Sequence, residues 1–172
     1  MNIALIGPPG ARVSETGQAL AVRLGVTLRD TDRDVETQAG KPVGDIFLED
    51  GEEAFRELER QAAAAALSDN SNKIVVLGSG AILDETVREQ LKGRTVVYLA
   101  ADFGTVVKHA GLDKPRVVLP GNPRARLRAM LEERARTYES VATITVQSED
   151  ASGPEDLAQQ IEQRIEQAAD SR

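Results

Sequence analysis

Short apolar runs alternate along the chain with longer stretches in which apolar residues recur every three or four positions. The runs are Asn2–Ile6, Val26–Leu28, Ile74–Leu77, Val96–Leu99 and Ala142–Val146. The longer ones are rich in β-branched residues, which predicts strands buried on both faces. Glu15–Leu24, Glu52–Leu67, Glu85–Leu91, Ala125–Arg136 and Glu155–Ala168 carry the helical period. In the last, Leu157, Ile161, Ile165 and Ala168 share one face. The alanine run Ala62–Ala66 reads as helix packed closely on the sheet. Gly153-Pro154 marks a helix start. Strand–helix alternation at this spacing predicts an α/β fold, a parallel sheet covered by helices on both sides. A length of 172 residues suits one domain spanning residues 1–172.

Composition narrows the chemistry. Lys plus Arg is 21 against 28 for Asp plus Glu, a net charge of −7, so a general nucleic-acid coat is not expected. Cysteine is absent and there is one histidine, which excludes disulfides, thiolate chemistry and multi-histidine zinc sites. No apolar stretch has membrane-spanning length, and no targeting pattern precedes the first strand. The expected setting is cytoplasmic.

The strongest local signal follows the first strand. A phosphate-binding loop reads GxxxxGK[ST]: backbone N–H groups wrap a phosphate at a helix N-terminus, a lysine reaches the outer phosphates, and the hydroxyl holds magnesium. This chain has Gly7-Pro8-Pro9-Gly10-Ala11-Arg12-Val13-Ser14. Gly7 and Ser14 fit. Arg12 stands at the second glycine and Val13 at the lysine, and Glu15 follows with a charge opposed to phosphate. A carboxylate in the first helical turn also relieves unpaired N–H groups, so the loop is expected to be satisfied without ligand. The pattern lacks G-x-G-x-x-G, which excludes the dinucleotide fingerprint. Asp30 and Asp32 are too close in sequence to define a glycosidase pair.

Other candidates carry two readings each. Asp30-Thr31-Asp32 either caps the following helix or places paired carboxylates where open sheets bind ligands. Arg56 either pairs with Glu52 or Glu59 on a solvated helix face or clamps an anion. Arg134 belongs to a basic run with Arg124, Arg126, Arg128 and Arg136, balanced by Glu132 and Glu133. Gly78 and Gly80 either make a tight turn or admit a ligand.

Taken in order, Gly7–Ser14, Asp30-Thr31-Asp32, Asp45-Ile46-Phe47, Gly51–Glu59 (GEEAFRELE), Leu77-Gly78-Ser79-Gly80-Ala81, Val96–Leu99, Arg116, and Arg134 with Tyr138 resemble the shikimate kinases. The likeness covers roughly residues 1–165. It implies a three-layer P-loop fold with a five-stranded parallel sheet in the order 2-3-1-4-5. It also implies an acceptor-binding helical region at about 31–60 and a lid at about 109–124. By resemblance, Asp32 orients the attacking hydroxyl and Arg56 and Arg134 clamp the shikimate carboxylate. Gly78, Ser79 and Gly80 form the loop against which shikimate lies. Ser14 and Asp30 match magnesium-associated positions. Gly7, Gly10, Ala11, Arg12, Val13, Ser14 and Glu15 match the nucleotide loop, and Arg116 matches the lid arginine that meets the transferring phosphoryl group. His109 falls where the family stacks an arginine on adenine. The acceptor side thus matches while the donor side departs.

Two functions follow from the resemblance. One is a homologue with impaired or absent ATP-dependent transfer that still binds a shikimate-like hydroxy-carboxylate. The other is an active kinase using ATP and Mg²⁺, with Arg12 or Lys108 supplying the missing charge. The first needs no cofactor. Monomer and an unspecified protein partner are both left open.

Overall fold

The computed structural model describes residues 1–109 and 122–171. Five strands form one sheet: β1 (Asn2–Ile6), β2 (Thr27–Asp30), β3 (Lys73–Val76), β4 (Thr95–Ala100) and β5 (Ile144–Gln147). All pairings are parallel, in the order β2-β3-β1-β4-β5. This is the sheet order implied by the resemblance. The helices are α1 (Val13–Leu24), α2 (Thr31–Ala39), α3 (Val43–Leu67), α4 (Glu85–Leu91), α5 (Phe103–His109), α6 (Pro123–Val141) and α7 (Pro154–Asp170).

Alternation along the central strands builds two apolar layers. Ala4, Ile6, Val75, Leu77, Val96 and Tyr98 face Ala63, Ala66 and Leu67 of α3, Val87 and Leu91 of α4, and Tyr138 of α6. Ile3, Leu5, Ile74, Val76, Val97 and Leu99 face Leu20 of α1 and Leu157, Ala158 and Ile161 of α7. β1 and β3 are buried on both faces, as their unbroken apolar runs require, whereas the edge strands β2 and β5 are only partly buried.

α2 and α3 pack on each other beside the sheet. Val35 of α2 packs with Ile46, Phe55 and Ala62 of α3 in a third, smaller cluster. α3 is longer than its periodicity predicts because it contains two helical pieces. They meet at Gly51, whose φ of 87° and ψ of 169° break the helix one residue before the predicted start at Glu52. The final strand begins at Ile144 rather than Ala142, since Ala142 caps α6 by donating its N–H to the Tyr138 carbonyl. Among the described residues, no helix is long and apolar enough to cross a membrane. The predicted lid at 109–124 falls almost wholly on residues 110–121, outside the described residues, as does Arg116.

Candidate functional site

Three loops leave the carboxyl ends of the adjacent strands β2, β3 and β1. They converge beside the point where the chain switches from building the sheet on one side of β1 to building it on the other. Open α/β sheets bind ligands at such a position. There the residues form a cavity of about 470 Å³.

The loop after β2 assigns separate tasks to its three residues. Asp30 is the N-cap of α2: its side chain accepts the Asp32 N–H at 3.1 Å. The buried Thr31 hydroxyl accepts the Gly78 N–H at 3.0 Å, fixing this loop to the loop after β3. Asp32 is therefore spared the capping role, and its carboxylate lines the cavity. Burial raises its pKa to about 6. The neighbouring Asp30, Glu59 and Glu36 carboxylates push it the same way, and Arg56 opposes them.

The loop after β3 is shaped by what stands above it. Neither Gly78 nor Gly80 has a positive φ, so turn conformation does not require glycine at either position. The present placement of the side-chain ends of Asp32, Glu59 and Arg56 favours it. A Cβ on Gly78 would lie 2.6 Å from Asp32 Oδ1 and 2.8 Å from Glu59 Oε2, and one on Gly80 would lie 2.0 Å from Arg56 Nη1. Both glycines thus make room for the charged side chains that face the loop.

Those side chains form a compact cluster. Arg56 Nη1 donates to Glu59 Oε1 at 2.6 Å, and Arg56 Nε stands 3.6 Å from the more exposed Glu52. The Arg56 guanidinium also lies 5.8 and 5.3 Å from the ring centroids of Phe47 and Phe55. Of the two readings of Arg56, the helix-face pairing is present, yet its partner is not a solvated residue. Glu59 is only 3% exposed. Burial raises the Glu59 pKa, while Arg56 and Arg134 pull it down. Arg134, half-buried on α6, thus comes near the same carboxylate. Arg56 and Glu59 also line a second cavity of about 210 Å³, with Gly80 and Asp84.

Tyr138 joins the two halves of the site. Its buried hydroxyl lies 3.0 Å from the Gly7 carbonyl and 2.5 Å from the Ser79 carbonyl, so one proton is shared by two loops. The ring stacks on Tyr98 at 5.0 Å between centroids. Tyr138→Phe keeps the ring and leaves two buried carbonyls short of a donor. It is expected to cost about 1–2 kcal/mol in urea unfolding, with unchanged slope. A loss below about 0.3 kcal/mol would show that the bridge is immaterial.

The loop after β1 departs from expectation in one respect. Arg12, at the second-glycine position, has φ 61° and ψ 38°. It is the single non-glycine residue at positive φ among the described residues. It serves as N-cap of α1 without a side-chain cap. Glu15 does not satisfy the first-turn N–H groups either. Its Oε2 instead accepts from Arg12 Nη2 at 2.7 Å and from Arg12 Nε at 3.3 Å. The expectation of a self-satisfied loop is thus corrected: the acid is engaged by the arginine, not by the helix amides. Val13 folds back toward the start of the loop, its Cγ2 standing 3.0 Å from the Cβ position of Gly7.

The cavity gathers many of the predicted residues. Gly7, Gly10, Arg12, Val13, Ser14, Glu15, Asp32, Ser79 and His109 line it. Ala11 lies behind it, fully buried, with its carbonyl accepting from Ser148 Oγ at 3.4 Å. Gly78, Gly80, Arg56 and Arg134 stand on the adjoining acceptor side. Among the described residues no group of three His, Asp or Glu side chains could hold a metal alone. Of the two magnesium-associated positions, Ser14 lines the cavity, whereas Asp30 is a buried cap of α2 and is not among the lining residues.

The fold and the three-loop cavity define a P-loop kinase-like protein. A family model for shikimate kinase matches residues 9–166, and the chain belongs to the shikimate kinase family. It is 51% identical over 166 residues to a shikimate kinase of Thermobifida fusca, covering 96% of this chain and 95% of the relative. It is 47% identical over 157 residues to one of Salinispora arenicola, covering 91% and 93%. Among solved structures it resembles the shikimate kinase of Acinetobacter baumannii in complex with shikimate, with TM-score 0.86 and 35% identity over 97% of this chain and 93% of that one. It also resembles the Aquifex aeolicus shikimate kinase, with TM-score 0.82 and 25% identity over 98% of each chain.

Proposed function

We propose that this chain is an ATP-dependent shikimate kinase with an intact acceptor site and a weakened donor loop. The observation that carries the reading is the Asp32–Glu59–Arg56 cluster packed over Gly78 and Gly80. It combines a raised-pKa carboxylate with a cation held ready for a planar carboxylate. Shikimate presents both partners these groups need, a hydroxyl for Asp32 and a carboxylate for Arg56 and Arg134.

In the proposed reaction the 3-hydroxyl oxygen of shikimate forms a bond to the γ-phosphorus of ATP. The bond from that phosphorus to the β–γ bridging oxygen breaks, and ADP leaves with the electron pair. The hydroxyl proton passes to the Asp32 carboxylate. Ser14 and Asp30 would hold Mg²⁺, which supplies charge neutralisation between the phosphates. The α1 N-terminal amides face the same charge. Arg12 is the loop's remaining cation and stands in for the lysine replaced by Val13.

A second reading has a specific observation in its favour. With Val13 at the lysine position and Arg12 tied to Glu15, the loop presents no free cation to a phosphate, which favours a homologue that binds shikimate without transfer. Calorimetric titration with shikimate and an assay of shikimate-dependent ADP release separate the two. Both signals are expected. Binding without ADP release establishes the second reading, and absence of both overturns the acceptor assignment. Arg56→Ala is expected to weaken shikimate binding by about a hundredfold, since a charge-assisted pair is lost and Glu59 is left buried without its partner. Unchanged affinity would remove Arg56 from the site.

A further inference from the structure

We propose that the Arg12–Glu15 ion pair is a latch on the donor site: it holds the loop's one cation off the phosphate path until a polyphosphate opens it. The inference rests on the kinase reading above and concerns how that site is regulated. Three observations converge. Arg12 donates to one Glu15 oxygen through both Nε and Nη2, so its fork is committed. The guanidinium reaches sideways over the loop, with Nη1 4.0 Å from the Cβ position of Gly153 before α7. The α1 N-terminus has no side-chain cap, so the backbone has donors to offer an anion while the side chain does not.

Magnitudes decide that this is a latch and not a permanent closure. Arg12 and Glu15 side chains are 31% and 59% exposed. An ion pair this open stabilises its closed form by a factor of up to about five. A nucleotide triphosphate offers Arg12 a more highly charged acceptor in bidentate geometry, which is the stronger partner. Side-chain rotation alone makes the exchange. The α1 backbone stays as it is, because the Arg12 carbonyl already accepts the Thr16 N–H at 3.0 Å in the first helical turn. Once Arg12 leaves, Glu15 turns to solvent.

A double-mutant cycle tests this through binding. ATP·Mg²⁺ and, separately, inorganic tripolyphosphate are titrated by calorimetry into the wild type, Glu15→Gln, Arg12→Ala and the double variant. Thermal melts verify that each is folded, and Glu15→Thr serves as a second release variant. The latch predicts that Glu15→Gln tightens both ligands about three- to fivefold when Arg12 is present. In the Arg12→Ala background the same change is expected to gain less than about twofold. An equal or larger gain without Arg12 means that Glu15 merely repels phosphate, and it overturns the latch. So does the absence of any gain, including no detectable binding to Glu15→Gln. The kinase reading fails separately. If the cycle shows coupling but no variant forms ADP with shikimate, the latch stands and transfer falls. If transfer occurs without coupling, the reverse holds.

Discussion

Asp32→Asn is expected to abolish phosphoryl transfer and at the same time to stabilise the protein above pH 7. The first effect follows from removing the proton acceptor, a loss of about 10²–10⁴ in kcat for general-base catalysis. The second follows from the carboxylate's raised pKa of about 6. A carboxyl group whose folded pKa lies above its ordinary 3.8 is held more easily as the neutral acid. Its favourable contribution is complete below about pH 3.8 and is lost as pH rises through about 6. At pH 8 the wild type therefore keeps an anion that folding disfavours, at a cost on the order of 2–3 kcal/mol. Asparagine keeps the shape without that charge. Urea unfolding at pH 8 should show the variant more stable by about that amount, and the difference should shrink as pH falls toward 4. In the same window, wild-type kcat/KM should fall about tenfold per pH unit below about 6. A variant that is less stable at pH 8 would show that Asp32 is held for structure, and one that keeps its activity would show that another group takes the proton.

Restoring the loop should produce the largest gain. Arg12→Gly, Val13→Lys and Glu15→Thr together are expected to raise kcat/KM for ATP by about 10²–10³. That is the scale of one well-placed transition-state contact to a developing charge. Each change has its own reason. Glycine takes the left-handed conformation at position 12 without a Cβ penalty. Lysine supplies a point charge that valine lacks, on a stem long enough to reach outer phosphates. Threonine removes the anion beside Ser14. Steady-state kinetics with ATP varied at saturating shikimate makes the measurement. A gain under about threefold would mean that Arg12 already does the lysine's work, or that loss of function extends beyond residues 7–15.

The sheet was readable from the sequence because its central strands are buried on both faces. Ile3 through Ile6 and Ile74 through Leu77 can be little else. The helices that periodicity missed are those with little apolar surface to repeat. α2 reads TDRDVETQA and buries only Val35 among its apolar residues, so tertiary packing decides it. α5 is seven residues long, too short for a period to show. The Gly51 kink hid the first part of α3, since a glycine before two glutamates reads as a helix boundary.

The site was legible where chemistry is local and obscure where it depends on packing. The resemblance brought Asp32, Arg56, Gly78, Gly80 and Arg134 forward together. It gave Asp30 and Asp32 different roles but did not show that Asp30 also caps α2. The capping hydrogen bond shows that. Glu59, in the charged stretch RELER, reads from spacing only as a surface partner of Arg56, although a signal of its burial is present. Phe55, Glu59, Ala62 and Ala66 follow one helical stripe, and all four are buried. A carboxylate on an apolar stripe needs a partner, and Arg56 one turn earlier is that partner. Tyr138 stood out only as part of a motif, because the loops it bridges lie 131 and 59 residues away along the chain.

Mass spectrometry of the products after incubation with shikimate and ATP·Mg²⁺ tests the central claim most directly, using Asp32→Asn as the control. The account predicts phosphorylated shikimate formed in excess over enzyme, with one ADP per product, from the wild type and not from the control. Shikimate recovered unmodified from a protein that demonstrably binds it would contradict the account.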